Sequence, residues 1–297
     1  MIYRRLGKTE LNVSVVGVGT WQLGGEWGKN YDQVEVDRMM ARAKELGINL
    51  IDTAECYGDR TSERLVGNAV KNDREDWIIA TKFGHKFHKN FERTNHFDPA
   101  SVLKQLEESL QALQTDYIDL YQFHSGANED FDNPALWEML AKQVETGKIR
   151  AIGLSITTAN PMLQIHKMSA YGISALQVIY NRLSREPEKE IFPICQKEDI
   201  GVLTRVPLAS GFLSGKYTAE TQFTNPDDVR SLRDQETIRQ QLLEVEKIKA
   251  EEVPAGVDMA QWALAWCLNH PAVTTVIPGC KNVEQVEANA RAVELLG

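Results

Sequence analysis

Eight short apolar segments of five to seven residues recur along this chain of 297 residues, and stretches of helical pattern separate them. They occupy residues 14–19, 48–52, 77–82, 117–123, 149–155, 175–180, 200–206 and 274–279. Nearly continuous apolar strands are typical of parallel strands that helices cover on the outside. Eight strand and helix units in alternation predict an α/β fold, a closed (β/α)8 TIM barrel.

The segments between the strands carry apolar residues three or four positions apart, the spacing of an amphipathic helix. In one of them Leu106, Leu110 and Leu113 follow a predicted N-cap at Asp98 and a proline, Pro99, at the first helical position. The predicted helices cover residues 33–46, 62–72, 99–113, 134–146, 159–169, 188–198, 231–250, 258–270 and 282–295. Because no linker-like composition divides the chain, we expect one domain over residues 1–297.

Composition and charge exclude several classes of function. The net charge of −9 is opposite in sign to the basic surface that a nucleic-acid-binding protein presents to phosphates. The N-terminal segment lacks the apolar core of a signal peptide, and no apolar run is long enough to span a bilayer. The cysteines follow no zinc-binding or disulfide spacing; they are Cys56, Cys195, Cys267 and Cys280. We therefore expect a cytoplasmic protein without nucleic-acid or membrane partners, of undetermined oligomeric state.

Polar side chains follow the apolar runs at the point where each predicted strand ends. Asp52 ends the second run with Tyr57 just beyond it, Lys82 ends the third, and His124 follows the fourth. Further polar or glycine positions of this kind are Gln122, Ser155, Gln177, Asn181, Arg205, Gly279, Cys280 and Lys281. Because the carboxyl ends of the strands meet at one mouth of a barrel, these residues predict a site there.

Acid and base chemistry predicts a joint role for four of these residues, Asp52, Tyr57, Lys82 and His124. A phenol has an ordinary pKa of about 10, too high for ready proton exchange near neutrality. We expect the ammonium of Lys82 to lower the pKa of Tyr57, and Asp52 to keep that ammonium charged in a desolvated site. His124 would then orient a substrate oxygen by donating a hydrogen bond.

The longest connection follows the seventh strand, over residues 207–232, and a loop of that length without regular structure is typical of a ligand-binding segment. Together with this loop, the segments GINLIDTAECYGDRTSERLVG, IIATK, IDLYQFH and VIPGCKNVEQVEAN make nearly the whole chain resemble an aldo-keto reductase. In that family an Asp, a Tyr, a Lys and a His at these strand ends form the catalytic tetrad. The resemblance assigns those roles to Asp52, Tyr57, Lys82 and His124.

The resemblance also implies the chemistry, hydride transfer between a nicotinamide dinucleotide and the carbonyl of a small aldehyde or ketone. NADPH is the expected cofactor, with NADH less favoured. The positions that match the family's cofactor-binding residues are Gly19, Thr20, Trp21, Asp52, Ser155, Gln177, Asn181, Arg205, Pro207, Leu208, Ser210, Gly211, Leu213, Ser214, Lys216, Gly279, Lys281, Gln285 and Asn289.

Three positions depart from the family pattern. Ile156 stands where an asparagine is common, and Arg205 stands where an aromatic residue often stacks on the nicotinamide. The positive charge of Arg205 is expected to disfavour an oxidised nicotinamide. Gln285 replaces an arginine that some members use for the 2′-phosphate, which leaves Lys281 as the main expected cation.

Other interpretations of these residues stay open at this point. Lys82 at a strand end is also compatible with a Schiff-base lyase, although Asp52 favours a charged, unreactive amine. A nicotinamide-binding subunit that senses redox state without turnover is a second alternative, as in the channel-associated members of the family. His85 and His88 have a metal-like spacing but no further ligands in sequence, so we expect a surface loop there and no metal.

Overall fold

The computed structural model describes residues 1–157 and 161–297 and confirms the (β/α)8 barrel. In chain order the strands are β1 (Tyr3–Arg5), β2 (Asn12–Ser14), β3 (Val18–Gly19), β4 (Leu50–Asp52), β5 (Ile78–Phe83), β6 (His85–Lys89), β7 (Glu92–Asn95), β8 (Ile118–His124), β9 (Ile149–Ser155), β10 (Ile173–Ile179), β11 (Gly201–Arg205) and β12 (Thr275–Val276). Strands β3, β4, β5 and β8 to β12 pair in parallel in that order around the barrel. Single parallel bridges from Val16 to Val276 and from Gly19 to Gly279 join the first barrel strand to the last.

Helices cover the outside of the barrel, as the periodicity predicts. They are α1 (Gln33–Glu45), α2 (Thr61–Val70), α3 (Pro99–Leu113), α4 (Asn128–Phe131), α5 (Pro134–Glu145), α6 (Met162–Lys167), α7 (Ile191–Lys197), α8 (Gln235–Glu251), α9 (Met259–Leu268) and α10 (Val283–Ala290). The side chain of Asp98 caps α3 by accepting from the Ser101 amide, which confirms the predicted start of that helix. Residues 159 and 160 of the predicted helix over residues 159–169 lie outside the described residues. Within the described part, α6 matches the centre of the predicted helix. Every helix among the described residues is too short or too polar to cross a bilayer.

The interior of the barrel is filled with apolar side chains at its amino-terminal end. Leu50, Ala80, Leu120, Ala151, Ala175 and Leu203 come from six successive strands and form one buried cluster. The β1–β2 hairpin closes that end, because Leu6, Leu11 and Val13 from the hairpin join the same cluster. A second, larger cluster lies between the strands and the surrounding helices. The bottom is therefore sealed by packing, and the polar residues are confined to the opposite mouth.

Two segments differ from the sequence-based prediction. The predicted first strand, residues 14–19, is divided between β2 and β3, because Ser14 bonds to the Val16 carbonyl and to Asn49 where the chain turns from hairpin to barrel. The predicted surface loop after Lys82 is instead an antiparallel hairpin, β6–β7, with Phe87 opposite Arg93. The long connection after β11 contains short 3-10 helices at Ala209–Ser214 and Val229–Leu232.

Candidate active site at the carboxyl ends of the strands

The ammonium of Lys82 lies at the centre of the polar mouth, on β5. Its Nζ donates to Oδ1 of Asp52 at 2.7 Å and to the Thr53 carbonyl at 2.7 Å, and it reaches the Tyr57 phenol oxygen at 3.4 Å. The side chain is fully buried. Burial lowers the pKa of Lys82, but the charge of Asp52 and the interactions with Asp52 and Tyr57 outweigh burial, and the pKa lies above its usual range. The lysine is therefore a fixed cation that faces the phenol.

Asp52 is held by two amides besides its lysine. Its Oδ2 accepts from Nε2 of Gln177 at 2.6 Å and from Nε2 of Gln122 at 3.2 Å. Gly153, on β9, lies against Gln122 on β8. A Cβ at position 153 would lie 2.7 Å from Cγ of that glutamine, so the glycine leaves room for the side chain that donates to Asp52. The carboxylate therefore has a donor on each oxygen, which is how a buried charge is made stable.

Tyr57 places its phenol between the lysine and an aromatic wall. The residue is 8% exposed, its ring lies 6.1 Å from that of Trp21 in a stacked arrangement, and Lys82 Nζ lies 5.0 Å from the ring centroid. The predicted lowering of its pKa is wrong in net direction, because burial raises the pKa of Tyr57 to about 12 although Lys82 opposes the rise. Burial penalises the phenolate more than one nearby ammonium stabilises it.

His124 lies at the end of β8, edge-on to Tyr57 with a centroid distance of 6.2 Å. Burial lowers its pKa to about 3, against the opposing effect of the Glu55 carboxylate. Glu55 accepts the backbone N–H of His85 through Oε1 at 2.9 Å, and its Oε2 lies 3.8 Å from Nδ1 of His124. At neutral pH the imidazole is therefore neutral beside an ionised Glu55.

A buried carboxylate that the sequence gives no reason to single out, Glu26, joins the β6–β7 hairpin to the mouth. Glu26 accepts from Nε1 of Trp21 at 2.5 Å, from the Phe91 amide at 2.9 Å and from Nη2 of Arg93 at 2.6 Å. Arg93 also donates through Nη1 to Sγ of Cys56 at 3.2 Å. The hairpin is therefore anchored beside the predicted tetrad by a buried ion pair.

The predicted cofactor residues after β3 and β12 meet where the barrel closes. The Gly19 amide donates to the Pro278 carbonyl at 3.0 Å, and a Cβ on Gly19 would lie 2.7 Å from the Ile277 carbonyl oxygen. Thr20 is buried and donates through its amide and its hydroxyl to the Asp52 carbonyl. Thr20 therefore fixes the end of β4, while the glycine permits the strands to approach.

Two buried polar atoms at the predicted cofactor positions have no hydrogen-bond partner among residues 1–157 and 161–297. Ser155 is 1% exposed and its Oγ has no partner, and Nε of Arg205 has none although its Nη2 donates to the Ile156 carbonyl at 3.1 Å. Unsatisfied buried polar atoms are costly unless a ligand satisfies them. Of the other two predicted positions nearby, Gln177 already donates to Asp52, and Nδ2 of Asn181 donates to the Val206 carbonyl at 2.9 Å.

The predicted phosphate-binding loop after β11 is an irregular turn with left-handed backbone at Ser210 (φ 60°) and Gly211 (φ 92°). The Gly211 and Leu213 amides both donate to the Leu208 carbonyl, so neither is free for a ligand. Ser214 donates to the Gly211 carbonyl at 2.6 Å. The remaining predicted positions are the buried Pro207 and the exposed Lys216.

Two arginines that the sequence interpretation missed stand beside this loop. Arg233 donates to Oγ of Ser210 at 2.9 Å. Arg230 is buried, forms a two-oxygen ion pair with Asp228, and lies 5.4 Å from the ring of Trp27. Burial lowers the pKa of Arg233, and the charge of Arg230 lowers it further. Such a pair of cations is a fitting counterpart for phosphate groups.

The last segment of predicted cofactor residues is arranged around Lys281. Its Nζ donates to the Trp27 carbonyl at 3.3 Å, and its amide donates to Oε1 of Gln285 at 2.8 Å. Burial lowers the pKa of Lys281, and Arg230 acts in the same direction. Asn289 is 5% exposed and donates to Sγ of Cys280 at 3.3 Å, so its side chain already has a partner.

Comparison with known proteins agrees with the barrel fold. The model of the Aldo/keto reductase family matches residues 15–296. A solved aldo-keto reductase, AKR11C1 from Bacillus halodurans in its holo form, superposes with a TM-score of 0.83 at 33% identity, over 99% of this chain and 91% of its own. The NADH-specific methylglyoxal reductase of Escherichia coli (strain K12) is 31% identical over 98% of this chain and 93% of its own length.

A further relative carries a different description. The putative voltage-gated potassium channel subunit beta of Schizosaccharomyces pombe is 30% identical over 99% of this chain and 88% of its own length. The family match extends over the whole barrel, from the segment just before β3 to the end of the last helix. The chain therefore belongs to the aldo/keto reductase family of oxidoreductases.

Proposed function

We propose that this protein reduces small aldehydes or ketones to alcohols with NADPH, and that Tyr57 is the general acid. The observation that carries the proposal is the buried row of Asp52, Lys82 and Tyr57, in which one ammonium contacts both the carboxylate and the phenol. A fixed cation beside a phenol stabilises the phenolate that remains after proton transfer. His124 faces the same phenol and is the proposed substrate-orienting residue.

Each residue has a defined step in this reaction. The dinucleotide supplies the hydride that the carbonyl carbon accepts. With a pKa of about 12, Tyr57 stays protonated at neutral pH and is a donor at rest. An alkoxide is more basic than a phenolate, so transfer of the phenol proton to the alkoxide oxygen is favourable. A neutral His124 keeps one ring N–H to donate to that oxygen and does not compete as the acid.

The polar groups at the mouth fit a nicotinamide dinucleotide. The Ser155 hydroxyl would bind a carboxamide. Three cations, Arg230 and Arg233 near Ser210 and Lys281 beside Trp27, would balance phosphate charge. Asp228 neutralises one of these cations and leaves two positive charges, which balance a pyrophosphate. Our preference for NADPH over NADH therefore follows from the resemblance to the family, with Lys281 as the proposed partner of the 2′-phosphate. The relative described as NADH-specific makes the direct comparison of both cofactors necessary.

The test is titration with NADPH and with NADH, followed by protein fluorescence, and then aldehyde-dependent loss of nicotinamide absorbance. Tyr57→Phe keeps the ring but removes the proton, so binding should survive while turnover falls by about 100-fold or more. Turnover by Tyr57→Phe within threefold of the parent protein would refute the assigned acid. Tighter binding and faster turnover with NADH would refute the cofactor preference.

A redox-sensing subunit is the second candidate, favoured by the relative described as a channel subunit beta. Tight NADPH binding without reduction of any of a panel of simple aldehydes would support it. A Schiff-base lyase is disfavoured, because a charged Lys82 held by Asp52 is a poor nucleophile. A borohydride-stable aldehyde adduct on Lys82 would reverse that judgement.

The setting of the protein follows from the same proposal. We infer one functional domain over residues 1–297 that acts on a small-molecule carbonyl compound. The four cysteines are all free and buried, which is compatible with a reducing compartment such as the cytoplasm.

A further inference from the structure

Three potential metal ligands, one of them His124 of the proposed active site, converge at the mouth of the barrel without a metal-binding spacing in the sequence. They are the carboxylate of Glu55, the thiol of Cys56 and Nδ1 of His124, and their ligand atoms all lie within 4.8 Å of one another. Glu55 and Cys56 follow β4, and His124 ends β8. The barrel fold therefore brings together oxygen, sulfur and nitrogen donors that no metal-binding motif in the sequence predicts.

Two of the three ligand-to-ligand distances in this cluster match tetrahedral coordination, and the third, between Glu55 and Cys56, is within 4.8 Å. Sγ of Cys56 lies 3.7 Å from Nδ1 of His124, and Oε2 of Glu55 lies 3.8 Å from the same nitrogen. Bond lengths of about 2.0 to 2.3 Å place the neighbouring ligands of a tetrahedral zinc ion about 3.3 to 3.8 Å apart. A cation could therefore bind all three atoms with small side-chain shifts.

A second feature points to a ligand at this position. Oε2 of Glu55 is a buried carboxylate oxygen that accepts no hydrogen bond from the part of the chain that the structure describes, in a residue only 3% exposed. Its other oxygen is satisfied by the His85 amide. Oε2 lies beside a thiol and a neutral imidazole. A borderline-soft divalent cation can coordinate all three of these groups.

We propose that Glu55, Cys56 and His124 form a site for a zinc-class divalent cation, with one coordination position open to water or to substrate. Three protein ligands with an open fourth position are a familiar arrangement for zinc. On binding, the S–H bond of Cys56 breaks, its proton passes to solvent, and a metal–sulfur bond forms. The thiolate must also exchange the hydrogen bond from Arg93 Nη1 for the metal.

Occupancy of this site has a consequence for catalysis that rests on the proposed function. The metal binds Nδ1 of His124 and leaves the N–H on Nε2, but its open coordination position competes with the Tyr57 phenol for the carbonyl oxygen, and it places a dication near Lys82 and Tyr57. Zinc should therefore inhibit reduction reversibly, and a chelator should restore the rate. Because a thiol proton is lost on binding, the apparent affinity should rise with pH.

The test uses Co²⁺ as a spectroscopic probe on the reduced protein without cofactor, so it requires no turnover. We expect a near-ultraviolet thiolate-to-cobalt charge-transfer band with visible bands of tetrahedral intensity, and stoichiometric loss of both when Zn²⁺ is added. Cys56→Ala should abolish the charge-transfer band, and Glu55→Gln should weaken Co²⁺ binding by about tenfold or more. Cys267→Ala is the matched control, since it removes another buried thiol and should leave the spectrum unchanged.

The outcomes separate this site from the proposed reductase activity. A charge-transfer band that needs Cys56 supports the site even if no aldehyde is reduced. A parent spectrum without that band, or a band that persists in Cys56→Ala, overturns the proposal. Circular dichroism and thermal unfolding of each variant show whether a lost band reflects a lost fold, and the Glu55→Gln variant supplies an independent ligand deletion.

Discussion

Replacing Lys82 with methionine tests the electrostatic basis of the proposed acid. Methionine has nearly the length of lysine without the charge, so Tyr57 keeps its packing but loses the cation 3.4 Å from its oxygen. In a site with an effective dielectric constant of about 20, a full phenolate charge at that distance gains about 5 kcal/mol from the ammonium. Half-developed charge in the transition state gains about 2.5 kcal/mol.

These energies convert into a range for the rate. We expect the rate constant of the chemical step to fall by between about 60-fold and about 4,000-fold in Lys82→Met. Single-turnover stopped-flow measurement of nicotinamide absorbance isolates this step from product release. The dissociation constant for NADPH should change by less than threefold, because Lys82 is buried beneath the phenol.

The stability of this variant needs its own control, because the substitution leaves Asp52 buried without its cation. Breaking a buried pair costs about 3 to 5 kcal/mol, although Gln122 and Gln177 still donate to this carboxylate. The double variant Asp52→Asn with Lys82→Met removes both charges and should recover stability without recovering the rate. A decrease of less than fivefold in the single variant, or a rate restored in the double variant, would refute the reasoning.

Three further predictions concern other residues of the mouth. With a pKa lowered to about 3, His124 resists protonation in the fold, so stability should fall by a few kcal/mol as pH decreases from about 6.5 to about 3; His124→Gln should flatten this dependence in urea unfolding. Arg205→Tyr should tighten binding of NADP⁺ relative to NADPH by about tenfold in fluorescence titrations, because it removes a positive charge proposed to face the nicotinamide; an unchanged ratio would place Arg205 elsewhere. Glu26→Gln should destabilise the protein by about 3 kcal/mol, since Arg93 loses its buried partner, whereas exposed Glu92→Gln should change the unfolding free energy by less than about 0.5 kcal/mol.

The barrel was predictable from the sequence because its signals are local. Apolar runs of strand length, helical spacing and residues such as Asp98 act over a few positions. The structure confirms most of the strands and helices they indicate, with the first predicted strand divided between β2 and β3 and the helix over residues 159–169 only partly within the described residues. The convergence of Asp52, Lys82 and His124 follows from the topology, because parallel strands in a barrel end at one mouth. Their catalytic roles stay predictions, supported by the contacts described above.

The features that the sequence interpretation missed depend on contacts across the closed barrel. Glu26 becomes buried only when the hairpin β6–β7 packs on the segment after β3, and nothing in its neighbourhood in sequence marks it. Cys56 and His124 are 68 positions apart and meet only through strand order. The net rise in the pKa of Tyr57 reflects the extent of burial, which a list of charged neighbours does not provide.

The junction between β3 and β12 is where we expect the barrel to open most readily. Each of these strands has only two residues, and two single bridges with three backbone hydrogen bonds join them, whereas β8 and β9 pair over six positions. Spontaneous opening should start there, so amide protons on both edges should exchange with deuterium before those of β8 and β9. A molecule that contacts Gly19 and Gly279 at the same time would hold the two strands together. Its binding should therefore slow amide hydrogen exchange on both sides of this junction.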